Sequence, residues 1–145
     1  MTSADDVGAR VRPGRTITGM SAVLLPHTAG GTVDFDATEA HIARTRDAGL
    51  VPAVNMDTGY VQLLDGESRG RILDLAAAVT ERDFVAGAYV ADEPGDGFDL
   101  AAHVAACTEI AARGGTPVVF PSHGLNAGSD ADWVHRLEAI AAEVD

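Results

Sequence analysis

Lysine is absent: all ten cationic side chains are arginines. A guanidinium stays protonated at working pH and cannot form an imine, so no internal side chain here can carry Schiff-base chemistry. The α-amino group is the one other candidate amine. Cysteine is limited to Cys107, which excludes an internal disulfide. Its surroundings, "AAHVAACTEIAA", read as a helix with Leu100, Val104, Cys107 and Ala111 on one stripe, so the thiol is expected in the core. Positive charge is scarce as well. Ten cations against 22 acidic residues leave a net charge of −12, and without clustered cations a nucleic-acid partner is excluded. No apolar run approaches a membrane span, and "MTSADDVGARVRPGR" lacks the apolar segment of a signal peptide. The expectation is a cytoplasmic protein with no membrane partner.

What the chain does contain is a repeat. Residues 1–16 form an expected flexible lead-in, mixed in charge, with Pro13 and two glycines. Residues 17–145 form one domain. Within it, strand-like apolar runs occur at "TGMSAVLLP" (18–26), "LVPAVNM" (50–56), "FVAGAYVA" (84–91) and "TPVVFP" (116–121), with starts about 32 to 34 residues apart. Both faces of each run are largely apolar, as in strands covered on both sides. A helical pattern follows each one. The first helix is expected to open at Asp36, with Glu39 three places on, and to end at Gly49; the fourth opens at Ser129 with Asp132 three places on. Strand then helix, four times, means parallel strands joined by crossover helices. The fold class is α/β. Periodicity is compatible with a small open sheet and with half of an eight-fold (β/α) barrel, which typically needs about 250 residues.

In either architecture ligands gather at the C-terminal strand ends. Those ends carry Pro26-His27, "NMDTG" (55–59), Asp92-Glu93 and Ser122-His123-Gly124. At the second, the Thr58 hydroxyl and backbone N–H groups around Gly59 suit a carboxylate, with Asp57 able to orient that hydroxyl or move a proton; the plain alternative is a polar turn. Asp92-Glu93, ahead of "PGDG", has too few oxygen ligands for a calcium loop and reads as a solvated turn. His27, Asp57, Asp92 and His123 could supply mixed ligands to a divalent metal, but no HxH or HExxH spacing supports it. His123 alone could carry a proton. "HTAGGTVD" (27–34) lacks the phosphate-loop ending and reads as a glycine-bearing turn. Trp133 is expected to pack, and His41, His103 and His135 to lie on the surface or at the core edge.

The order of segments resembles the dihydrodipicolinate synthase and N-acetylneuraminate lyase family. "SAVLLPHTAGGTVDFD" is similar to its opening, a first strand ending in a Thr-Pro-Phe-like element ahead of the first helix. "AGLVPAVNMDTGYVQLLDGESRGRILDLAAAV" is similar to its second unit, with a Gly-Thr-Thr-Gly-Glu turn. The likeness runs from about residue 16 onward and covers the N-terminal half of the family's barrel. The resemblance implies four βα units of a (β/α)₈ barrel and class I aldolase or lyase chemistry on a 2-oxo acid, with no added cofactor. Carried over by position, Thr58 and Gly59 match the residues that hold the keto-acid carboxylate. Asp57 falls at the first Thr of the proton relay, and Tyr60 at the family's Glu. Ser122-His123 stand where the family often has tyrosines. The expected catalytic residues are therefore Asp57 and Thr58, and the expected substrate-binding residues Asn55, Thr58, Gly59 and His123. The family's lysine lies on a later strand. The expectation is a fragment or truncated relative, inactive alone, that binds a small 2-oxo acid and pairs with itself or with a complementary C-terminal half. A non-catalytic binding or interaction module and a metal-dependent barrel hydrolase or isomerase are the alternatives.

Overall fold

The computed structural model describes residues 14–144. The expected lead-in, 1–16, lies outside them except for 14–16. Four short strands appear where the apolar runs predict them: β1 (Met20–Ala22), β2 (Val51–Val54), β3 (Val85–Ala88) and β4 (Thr116–Val119). Each is shorter than its run. The helices are α1 (Phe35–Asp47), α2 (Gly66–Thr80), α3 (Leu100–Ala112), the single-turn α4 (His123–Asn126) and α5 (Asp130–Glu143).

Side-chain caps set where the helices start. Asp65 and Asp99 accept from the backbone three residues on, and Ser129 and Asp132 form the expected reciprocal box. The first helix departs from expectation. Its cap is Asp34, accepting from Ala37 N–H at 2.9 Å, and not Asp36. Phe35 then joins the helix and packs against the core, which anchors its start.

Strand order decides between the two architectures. The sheet runs β1-β2-β3-β4, all parallel. Each right-handed crossover therefore steps the same way, and every helix lands on one face. A doubly wound sheet would reverse direction partway. The packing agrees. Val23, Val54 and Ala86 on the sheet meet Ile42 of α1, Ile72 of α2 and Ile110 of α3 in one core. This is the architecture of four successive βα units of a barrel, and it fits the N-terminal half.

The opposite face is the one a closed barrel would turn inward. In register, Ala22, Ala53, Val85 and Thr116 share one row of it. Its centre is closed: Ala53 and Val85 are buried, and the Phe120 ring lies over Gly87. Its flanks are open, with Met20, Leu24 and Val118 exposed.

Two prolines sit where the ladders tolerate them. Val51 donates to Gly19 O and Val23 to Ala53 O, so by alternation Pro52 faces β3. The β2–β3 pairing begins one residue later, at Ala53. On β4, Thr116 donates to Phe84 O and Phe120 to Ala88 O, which turns Pro117 to the free edge.

Three side chains differ from expectation. His103 is buried, with Nδ1 2.8 Å from Asp99 O and its ring beside Phe98. Trp133, on α5, is exposed. Val134, expected on the apolar stripe, is exposed with it. Cys107 is buried as expected, and burial pushes its thiol up.

Candidate functional site

The turn after β2 is built by two residues in the left-handed region, Asn55 (φ 51°) and Tyr60 (φ 56°). Between them Asp57–Gly59 makes one 3₁₀ turn. The Asp57 carboxylate accepts the Thr58 N–H at 2.8 Å. Gly59 N–H goes to Met56 O and Tyr60 N–H to Asp57 O, both at 2.9 Å. The expected free N–H groups are thus already taken, because the turn closes on itself. What it presents is the exposed Thr58 hydroxyl and the exposed Asp57 carboxylate, above a buried Gly59 that lies against the end of β1.

Asn55 is turned away from that mouth. Its left-handed backbone sends the side chain into the helix layer, where Nδ2 donates to Arg69 O of α2 at 3.2 Å. Oδ1 is buried with no partner among the described residues.

A second polar constellation lies at the ends of β3 and β4. A cavity of about 440 Å³ there is lined by Tyr89, Asp92, Ser122, His123 and Asn126, among others. Asp92 organises it by spanning two loops, its oxygens accepting His123 N–H at 2.8 Å and Gly124 N–H at 2.7 Å. The Gly124 N–H does most to hold the Asp92 carboxyl below the usual carboxylate range. Burial opposes this, and the His123 N–H and Ser122 hydroxyl add to it. Gly124 has no room for a side chain, because a Cβ would run into the backbone of Gly97 and Phe98. From the other side Arg136 of α5 donates to the carbonyls of Gly124, Leu125 and Ala127, with its guanidinium 5.6 Å from the Phe98 ring centroid.

Of the expected site residues, then, His123 falls in this cavity, while Asp57, Thr58 and Gly59 form a separate turn at the end of β2. Tyr89 and Asn126 were not expected. Only the β3–β4 register brings them together, and neither sits in a motif. "HTAGGTVD" closes on itself through the His27–Val33 bridge and a Thr28–Thr32 hydroxyl contact of 2.9 Å. Among the described residues no three of His, Cys, Asp and Glu converge as metal ligands would, so His27, Asp57, Asp92 and His123 do not form the set the metal alternative needs. A further cavity, about 890 Å³, is an apolar groove lined by α3 and by Glu143 of α5.

Because the folded Asp92 is more acidic than an unfolded one, the stability it adds is present above the unfolded carboxylate range and lost as pH falls through its folded value. Denaturant melts should show the wild type losing stability below about pH 4 more steeply than Asp92→Asn. Parallel curves would mean that the clasp adds nothing pH-dependent.

No family model matches the sequence. No curated protein matches it either. Solved structures do. A crystal structure described as a "putative dihydrodipicolinate synthetase" from Pseudomonas aeruginosa superposes with a TM-score of 0.72 at 18% identity, over 90% of this chain and 44% of that one. This chain has a dihydrodipicolinate synthetase-like fold. It spans less than half the length of that relative. At such identity the likeness is one of fold. It agrees with the sequential strand order and with four βα units. Among the described residues no helix is long and apolar enough to cross a membrane.

Proposed function

We propose that the chain is a fragment or truncated relative of a 2-oxo-acid aldolase or lyase, that it acts in the cytoplasm, and that it binds a small 2-oxo acid at the strand ends without turning it over. The observation that carries this reading is a shared fold over nearly the whole chain, together with a Thr-Gly turn at the end of its second strand. In this reading the Thr58 hydroxyl donates to the ligand carboxylate, Gly59 leaves room for it, and Asp57 orients the hydroxyl or relays a proton. His123, which lines the separate cavity at the ends of β3 and β4, takes no part in this contact. Asn55 acts from beneath, fixing the turn to α2. The chain contains no lysine, so the imine step would need the α-amino group or an amine from another polypeptide. That same lack favours the second reading, a non-catalytic α/β binding module.

Pyruvate titrated against the ¹⁵N-labelled chain should shift the Thr58 and Gly59 amides with a roughly millimolar dissociation constant, equivalent to about 4 kcal/mol. Thr58→Val keeps the shape, removes the hydroxyl and should abolish the shifts. Borohydride should fix no pyruvate to any internal residue. Equal shifts in wild type and variant, or a stoichiometric internal adduct by mass spectrometry, would overturn the reading.

A further inference from the structure

We infer that the cavity at the ends of β3 and β4 binds a neutral, hydroxyl-bearing small molecule, a polyol or a sugar. The inference goes beyond the 2-oxo-acid reading and does not depend on it.

Charge sets the ligand class. Of the residues lining the cavity, Asp92 is the one with a formal charge when His123 is neutral, and no arginine is among them. The N–H groups of His123 and Gly124, which could otherwise meet an anion, are already bonded to the Asp92 oxygens. The chain's own carboxylate occupies that position, so a second carboxylate or a phosphate would meet repulsion with no donor pair to offset it.

Hydrogen-bonding capacity points the same way. An ionised carboxylate offers about four acceptor sites. Two backbone N–H groups use two on Asp92, which leaves room for a ligand O–H. Around it stand the Tyr89 hydroxyl, the His123 ring and the Asn126 amide, none bonded to another group among the described residues. Each of these side chains can both donate and accept, as a hydroxyl does; the Tyr89 ring already meets the Arg69 guanidinium, 5.8 Å from its centroid.

The frame is already in place. Gly124 packs backbone to backbone against Gly97 and Phe98. Arg136 holds the far end of α4 by its carbonyls. Little ordering remains for a ligand to impose. A volume of about 440 Å³ lies within the usual range for small-molecule sites.

The test is a ¹⁵N titration of the full chain with xylitol, with D-glucose and with gluconate as the charged counterpart. Saturable shifts at Tyr89, His123 and Asn126 are expected with xylitol or glucose, and gluconate should bind about tenfold more weakly. Asn126→Ala and Tyr89→Phe should each weaken binding by about five- to tenfold, the loss of one hydrogen bond, with spectral dispersion kept. If one variant loses dispersion, the other decides. No saturable shift with either neutral probe, shifts confined to other residues, gluconate binding as tightly, or folded variants binding like wild type would each overturn the proposal. Pyruvate is read at Thr58 and Gly59, so either site can fail while the other stands.

Discussion

Gly87→Ala should cost the protein at least ~3 kcal/mol, the upper end of what one inserted methyl does in a packed interior. Gly87 lies at the centre of β3, on the face turned away from the helices. A Cβ built there collides with the backbone oxygen of Asn55 and comes within 2.9 Å of Phe120 Cζ. The ring can swing aside. The oxygen belongs to the end of β2, and moving it strains the β2–β3 pairing and the left-handed residue that starts the Asp57–Gly59 turn. A domain of this size has roughly 5–15 kcal/mol in total, so the loss should appear as a large fall in denaturation midpoint. Phe120→Leu in the same chain should recover only part of it, since the backbone clash remains. An unchanged midpoint would show that the face is not packed as described.

The collision also explains why part of this chain could be read from its residues and part could not. Strand and helix identity is local. Apolar runs near 32-residue spacing and side chains such as Ser129 with Asp132 announce it, and the elements fall where expected. Strand order is not local. Nothing in the period says that β3 follows β2 in space, so the open and half-barrel architectures separate only once the register is known. The same limit applies to the site. Asn55 sits at the end of an apolar run and reads as a ligand contact, but one left-handed residue rotates its amide into the helix layer. His103 reads as a surface or core-edge group, but it shares the buried stripe of its helix with Cys107 and Ile110, and the Phe98 ring lies beside it. Tyr89 and Asn126 are 37 positions apart in sequence and meet through β3–β4 pairing.

The 145-residue chain should also self-associate as its concentration rises. Among the described residues the face opposite the helices is open at its flanks: Met20 is 60% exposed, Leu24 59% and Val118 36%. Burying roughly 400 Å² of such surface is worth about 10 kcal/mol, within the range of what association costs in lost freedom, so the equilibrium should be visible at accessible concentrations. The two free edges are not equivalent. Gly19 and Val23 bond to β2, so by alternation Met20, Ala22 and Leu24 turn intact N–H and C=O groups outward. On β4 the outward position 117 is proline, which offers a carbonyl and no donor. An incoming strand therefore finds a full ladder at β1 and a weakened one at β4. Leu24→Lys and Met20→Glu should shift the chain towards monomer in sedimentation across a concentration series, and Val118→Thr should do so less. A compact particle of 14.9 kDa at every concentration, binding no hydrophobic dye, would mean that the flanks are covered by the chain itself and that the sheet stands alone.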